Sequence, residues 1–385
     1  MGGRSRGAAL LASGAGLDAV SGAQGEAAAA AAAGGGDLLG GGQLPGLRID
    51  AVTPWLADHV GLSPPLRFQR ISGGRSNLTF KVADVEGRTR ALRRPPVSGV
   101  LPSAHDMGRE YRVCRALRGT AVPAPEALAF CDDPKVTGAP FWVMDFIEGQ
   151  VVRDELTASR LFDPSQRRAL GLAVVDTLAD IHAVDLDAVG LRDLGRGEDY
   201  VGRQLRRWHR QWEQFRIRPL PILQETHDVL VDAAPPPGEI TLVHGDYRLA
   251  NVLVSLTGEI RAVLDWELCT LGDPLADLGL TLAYWNEPDD ELQPLGSAPT
   301  SALGFPSRRD VLARYAKRTG RDVSKAAFYL ALGYWKLAVV LEGVHTRERS
   351  GAYGDQRHTD EDPFPPVTED LATAALRVCA DPQLL

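Results

Sequence analysis

The sequence predicts an α+β chain of two unequal lobes: a small antiparallel β-sheet lobe carrying one helix, followed by a mostly α-helical lobe. Three observations carry this. From about residue 66 apolar and polar residues alternate with period two between turn signals, and residues 103–118 then take helical spacing. Beyond Glu148-Gly149 the pattern changes to long helical segments, broken by one polar-rich hairpin at 241–267.

The elements follow in order. Residues 1–43 include SGAQGEAAAAAAAGGGDLLGGGQ, Ala/Gly-rich sequence that buries too little side chain to offset its ordering entropy, and are expected to be a disordered leader. A first lobe is expected over 44–146 and a second over 147–385. LRFQRIS, NLTFKVAD and RTRALRRP, separated by Gly73-Gly74 and Glu86-Gly87, read as three antiparallel strands. Met107, Tyr111, Cys114 and Leu117 share one helical face, with Gly119 ending the helix. EALAF and PFWVMDFI complete the small sheet. The second lobe opens with the long helical pattern SQRRALGLAVVDTLADIHAVD, in which His182 is expected to close the helix end, and continues to RDVSKAAFYLALGYWKLAVVLEGV.

Composition narrows the function. The 385 residues carry a formal net charge of −8, which argues against a broad nucleic-acid footprint, and no run of about 18 uninterrupted apolar residues suggests a membrane span. Arg4 and Arg6 precede AALLA, but Gly soon interrupts the apolar stretch, so a secretion signal is not expected and the protein reads as cytoplasmic. The four Cys lie far apart without a CxxC, as reduced structural thiols do.

The chemistry gathers in TLVHGDYRLANVLVSLTGEIRAVLDWE. LVH and VLV are short apolar strands, Thr257-Gly258 is a turn, and RAVLDW returns, so positions whose numbers sum to about 515 or 516 face each other. Asn251 then lies opposite Leu264 or Asp265. Asn251 and Asp265 offer the hard, incomplete oxygen shell that suits Mg²⁺, and Asp246 sits in the loop where it can take the proton of an attacking hydroxyl. The alternative is that these are turn residues and His244 a core histidine; the joint spacing argues for phosphoryl transfer.

HGDYRLAN, VLDWE and LGDPLADLG resemble the aminoglycoside phosphotransferase-like superfamily of small-molecule kinases. Together with LRRPPVSGVLPSAHDMGREYRV they look closest to the branch that forms the kinase-like part of acyl-CoA dehydrogenase fusion proteins, over about residues 48–350. The resemblance implies a bilobal protein-kinase-like fold with ATP and Mg²⁺ between the lobes. It casts Asp246 as catalytic base, Asn251 and Asp265 as metal ligands, His244 as a brace of the catalytic loop and Asp277 as its support. SGGRSN, with Gly73, Gly74, Ser76 and Asn77, occupies the place of the phosphate-covering turn; a simple Gly-Gly hairpin turn is the alternative. Where kinases place a third-strand Lys this chain has R-A-L-R, so Arg93 is expected to reach phosphate and pair with Glu110, while strand alternation turns Arg94 to the other face. Backbone groups of Asp145, Phe146 and Ile147 are implied to bind adenine, with Met144 nearby either in that pocket or in the core.

One segment speaks to the acceptor. In VGRQLRRWHRQWEQF, Val201, Leu205, Trp208, Trp212 and Phe215 share one helical face, and Arg203, Arg206, Arg207 and Arg210 the opposite one. A basic face on the cleft would suit an anionic small molecule with a hydroxyl, such as a hydroxy acid or hydroxyacyl-CoA; a solvated helix face is the alternative. The other readings are an aminoglycoside or amino-alcohol kinase, a nucleotide-binding scaffold without turnover, and a metal-dependent phosphoesterase. The last is disfavoured because the other His residues lack ligand spacing. The acidic DQRHTDEDPF near the C-terminus either caps a cationic pocket or is solvated.

Overall fold

Period-two sequence folds here as strands with two covered faces, and the split between those faces positions the site. The computed structural model describes residues 44–71, 77–97, 106–290, 297–349 and 364–384. The leader at 1–43, Gly73, Gly74, Ser76 and the acidic stretch at 355–363 lie outside the described residues.

Helix α1 (Ile49–Val60) precedes the sheet and was not anticipated, because Pro54 inside it hides the helical pattern. Val52 and Leu56, four residues apart, are fully buried, and Gly61 ends the helix in the left-handed region at φ 66°. Strands β1 (Arg67–Ile71), β2 (Leu78–Ala83) and β3 (Thr89–Arg94) follow, then α2 (Met107–Leu117). Asp106 starts α2 by accepting a 2.9 Å hydrogen bond from the Arg109 N–H, so the helix begins later than the spacing suggested. β4 (Ala127–Cys131), the single turn α3 (Pro134–Thr137) and β5 (Phe141–Asp145) complete an antiparallel sheet of order β1-β2-β3-β5-β4. The expected lobe with one helix thus carries two further helical pieces.

One sheet face packs Phe68, Phe80, Leu92 and Val143 against α1, while the other turns Ala91, Trp142 and Met144 toward α2 and the second lobe. Alternation therefore sends Arg94 to the α1 side and Arg93 inward. Arg94 donates to the carbonyls of Gly46, Pro95 (2.9 Å) and Thr137 (2.9 Å).

The chain leaves the sheet at Asp145 and enters β6 (Gln150–Val151), whose two residues pair antiparallel with Leu253 and Val254. Next come α4 (Glu155–Leu161), α5 (Pro164–His182), α6 (Tyr200–Phe215), α7 (Pro221–Asp232), β7 (Thr241–Val243), β8 (Val252–Val254), β9 (Ile260–Val263) and β10 (Thr270–Gly272). The remaining helices are α8 (Pro274–Ala283), α9 (Arg308–Thr319), α10 (Ala326–Arg349) and α11 (Phe364–Ala380). α10 packs against α8 and α11. It is long and apolar enough to cross a membrane by length and composition, yet 89% of its apolar window is buried inside the protein, as befits a core helix. Cys114, Cys131, Cys269 and Cys379 are all free thiols.

The β8–β9 hairpin has the expected register: Val252 faces Val263 and Leu253 faces Ala262, with an irregularity before Val254 and Ile260. β7 pairs instead with β10, a strand the sequence did not announce.

Candidate active site

The catalytic-loop candidates sit between β7 and β8, and the hairpin brings Asn251 beside the end of β9, where the Leu264 N–H donates to the Asn251 carbonyl at 2.8 Å. Asp246, Asn251 and Asp265 are each at most 3% exposed. The Asn251 amide nitrogen donates to the Asp246 carbonyl at 2.9 Å and to its Oδ2 at 3.0 Å, which aims the Asn251 Oδ1 away from the loop. That Oδ1 is buried without a hydrogen-bond partner among the described residues. An orphaned buried oxygen costs free energy unless something satisfies it.

Asp265 follows β9 in the left-handed region at φ 66°, a position unusual for a residue with a Cβ and held here by its contacts. Its Oδ1 accepts from Arg93 Nη2 at 2.8 Å, and Arg93 Nε donates to Glu110 Oε2 at 2.9 Å. The 1% exposed Arg93 thereby joins the sheet, α2 and the hairpin. The carboxylates of Glu110, Asp265 and Glu267 all act on this one guanidinium. Burial pushes the Asp265 carboxyl well up, Glu267 adds to that push, and Arg93 opposes it. Three carboxylates around one guanidinium leave an excess of negative charge that a bound cation would neutralise.

His244 and Asp277 hold the loop from behind. Asp277 accepts from the backbone N–H groups of His244 (2.6 Å) and Gly245 (2.9 Å). His244 lies 2.9 Å from the Leu264 carbonyl through Nε2, and its Nδ1 accepts from the Asp246 N–H at 3.3 Å. Burial lowers the pKa of His244, keeping the ring neutral, with the proton on Nε2 to suit both bonds. Gly245 adopts φ 84°, and a Cβ there would stand 2.8 Å from the Leu268 carbonyl oxygen, so the HGD turn requires glycine on two counts.

Three residues at this site escaped the sequence reading. Tyr284, at the end of α8, donates its hydroxyl to Asp246 Oδ1 at 3.0 Å, and Arg248 lies 4.9 Å over the Tyr284 ring. Both oxygens of Asp246 are thus engaged. Burial raises the Asp246 pKa; Arg248, Lys336, His244 and the Tyr284 hydrogen bond each oppose that rise. Lys336, from α10, places Nζ 2.9 Å from the Gly245 carbonyl. Its signal was a single Lys in an otherwise apolar stretch, which has to find a partner. His182 does more than close α5: it is buried, 2.7 Å from the Tyr315 hydroxyl and 3.3 Å from Asp277 Oδ2, and so stands behind the Asp277 brace.

On the sheet side, Ile71, Ala91, Met144, Phe146, Ile147, Leu253 and Leu264 line a narrow, largely apolar recess of about 10 Å³ between the sheet and the β8–β9 hairpin. Asp145 is less free than expected: its N–H donates to the Glu126 carbonyl at 3.1 Å and its carboxylate accepts from the Glu126 N–H at 2.6 Å. The Asp145 N–H is thus already paired locally, which leaves its carbonyl and the backbone groups of Phe146 and Ile147 as the polar groups of this segment. Lys81 lies 4.2 Å over the Phe146 ring. Asn77 donates to Glu267 Oε2 at 2.9 Å, and its own Oδ1, like Arg93 Nη1, is buried without a partner among the described residues.

Next to the loop opens a cleft of about 730 Å³ lined by Gly245, Glu267 and Lys336 on one side and by α6 on the other. Arg203, Arg206, Arg207 and Arg210 all line it, together with Trp208 and Phe215 from the apolar stripe. Two of these arginines are already held, Arg206 by Asp199 at 2.6 Å and Arg203 by the Arg196 carbonyl.

Residues 67–320 match the model of the phosphotransferase enzyme family. Acyl-CoA dehydrogenase family member 11 of Gallus gallus is 36% identical over 290 residues, 73% of this chain and 37% of that protein. Acyl-CoA dehydrogenase family member 10 of Mus musculus is 32% identical over 308 residues, 78% of this chain and 28% of that protein. The chain therefore spans less than half the length of these curated relatives. A crystal structure from Ralstonia eutropha JMP134, provisionally described as an aminoglycoside phosphotransferase, is 31% identical with a TM-score of 0.72, covering 85% of this chain and 98% of that one. A mutant of the aminoglycoside phosphotransferase APH(4)-Ia in ternary complex with ADP and hygromycin B shares the fold at TM-score 0.56 and 17% identity, over 84% of this chain and 97% of that one.

Proposed function

The chain belongs to the phosphotransferase enzyme family and is a small-molecule kinase, and from that premise we propose that it moves the γ-phosphate of ATP to a hydroxyl of an anionic acceptor, a hydroxy acid or hydroxyacyl-CoA. The observation that carries the acceptor class is the arginine-walled cleft that reaches the catalytic loop at Gly245. Guanidinium groups favour carboxylate and phosphate and repel a polycation.

The residues present fit Mg²⁺ and ATP. The unpartnered Asn251 Oδ1 and the surplus carboxylate charge at Asp265 suit a hard cation, and the unpartnered Arg93 Nη1 suits a phosphate oxygen. When bound, Mg²⁺ supplies charge neutralisation on the transferring phosphoryl group. Asn251 and Asp265 would hold it. Asp246 accepts the proton of the acceptor hydroxyl, and the Asn251 bond to Oδ2 fixes the direction in which that carboxylate points. Asp277 and His244 keep the loop from relaxing, and Arg93 tied to Glu110 holds the phosphate-facing guanidinium in one place.

Purified protein with Mg-ATP is to be screened against hydroxy acids, hydroxyacyl-CoAs, aminoglycosides, choline and homoserine. Transfer to acids or CoA thioesters is expected; turnover of aminoglycosides with none on acids contradicts the acceptor class. Nucleotide binding with no transfer to any acceptor would favour a scaffold.

A further inference from the structure

The cations of the cleft are unequally committed. Arg109 spends Nε and Nη2 on the Cys269 carbonyl, at 2.9 and 2.7 Å. Arg203 and Arg206 are held as described above. Of the cleft cations that remain, two lie against one indole: Lys336 Nζ is 5.6 Å and the Arg207 guanidinium carbon 5.4 Å from the Trp208 ring centroid. Among the described residues neither has a carboxylate within 4.0 Å. Lys336 has three N–H donors and places one at the Gly245 carbonyl, leaving two. The five donors of Arg207 meet no acceptor among the described residues. Burial pulls the Lys336 pKa down; Asp246 and Asp277 oppose this from a distance, and Arg207 reinforces it. Two cations brought together without a counter-anion beside a chemical centre are poised for an anion from solution.

We propose that Lys336, Arg207 and the Trp208 ring form an anion subsite that holds the carboxylate or phosphate of the acceptor and ties it, through the Lys336 bond to Gly245, to the catalytic loop. This rests on reading the cleft as the acceptor site. The bridging ammonium makes the acceptor's charge a positioning device: a molecule lacking it enters the same cleft without a fixed relation to Asp246. Trp208 supplies an apolar wall, and its Nε1 is already given to Gln204 at 2.9 Å, so it does not compete for the anion.

The test uses the full chain saturated with Mg-AMP-PNP, so that phosphate cannot take the nucleotide site. Inorganic phosphate, 3-hydroxybutyrate, 3-hydroxybutyryl-CoA and butane-1,3-diol are titrated by calorimetry, the last three sharing a carbon skeleton but not a charge. At least one anion is expected to bind more tightly than the diol, and Lys336→Met to weaken it at least about tenfold, with Lys336→Arg recovering part of the loss. The carboxylate and CoA arms identify which anion is preferred. Arg207→Met, at an exposed position, reports the same loss where Lys336→Met disturbs folding. Anions that bind no better than the diol, or variants that fold and bind them as the parent does, overturn the subsite. Phosphoryl transfer is scored separately: transfer to a hydroxyl without anion binding overturns the subsite alone, whereas anion binding without transfer to any acceptor supports the subsite and overturns the acceptor reading.

Discussion

Asn251 donates one amide nitrogen to both the carbonyl and the carboxylate of Asp246, at 2.9 and 3.0 Å, and keeps its own Oδ1 buried and unpaired. One side chain thus orients the Asp246 carboxylate and keeps a bare, buried oxygen beside it. Asn251→Ala removes both functions, so the apparent affinity for Mg²⁺ should fall at least about tenfold and kcat should fall with it. Rates measured across free Mg²⁺ check this; an unchanged Mg²⁺ dependence would show that Oδ1 serves no metal.

Arg93 joins Glu110 and Asp265 at 2.9 and 2.8 Å with almost no solvent contact. Truncation to Met leaves two buried carboxylates facing each other, a loss of about 3–5 kcal/mol of stability. Arg93→Lys keeps the charge but lacks the fork that spans both partners, so it should recover only part of the stability and little of the ATP affinity. Urea unfolding and nucleotide titration separate the two effects.

Asp277 gives a stability signature in pH. Burial alone would raise its pKa, but the hydrogen bond and charge of His182, then His244 and the Gly245 N–H, outweigh that and lower it. A carboxylate whose folded pKa lies below its unfolded value near 4 adds stability above that pH, and the gain is lost as pH falls through the folded value. Asp277→Asn should therefore cost about 3 kcal/mol at pH 7, with the gap from the parent narrowing as pH falls below about 4. Parallel stability curves for the two proteins down to pH 3 would remove Asp277 from the account.

The Tyr284 hydroxyl occupies Asp246 Oδ1 at 3.0 Å, the oxygen that Asn251 leaves open. Tyr284→Phe opens that oxygen to water, so ATP hydrolysis without acceptor should rise a few-fold while the KM for ATP stays the same. A fall in hydrolysis would mean that the hydroxyl assists the base rather than covering it.

Local and periodic information was legible, whereas contacts across helices were not. Strand alternation separates Arg93 from Arg94, and hairpin arithmetic sets Asn251 opposite Leu264, because both follow from the pleat. Tyr284 and Lys336 reach the loop from helices 38 and 91 residues further along, and no periodicity encodes where a helix end will dock. α1 was hidden by Pro54, which suppresses a helix signal, and the β7–β10 pair joins three-residue strands too short to show a period. His182 shows the same limit: its place at a helix end was visible in the sequence, but its contact with Asp277 depends on how α5 packs.

The central claim is that Asp246 takes the proton of an acceptor hydroxyl while Asn251 and Asp265 hold the metal. Its most direct test is Asp246→Asn with γ-labelled ATP, Mg²⁺ and the acceptor panel, alongside nucleotide binding. The account predicts that the parent labels at least one hydroxyl acceptor and that the variant loses about 10³-fold in rate with Mg-ATP binding nearly unchanged. A variant that transfers label as fast as the parent, or a parent that binds Mg-ATP and labels no acceptor, would contradict it.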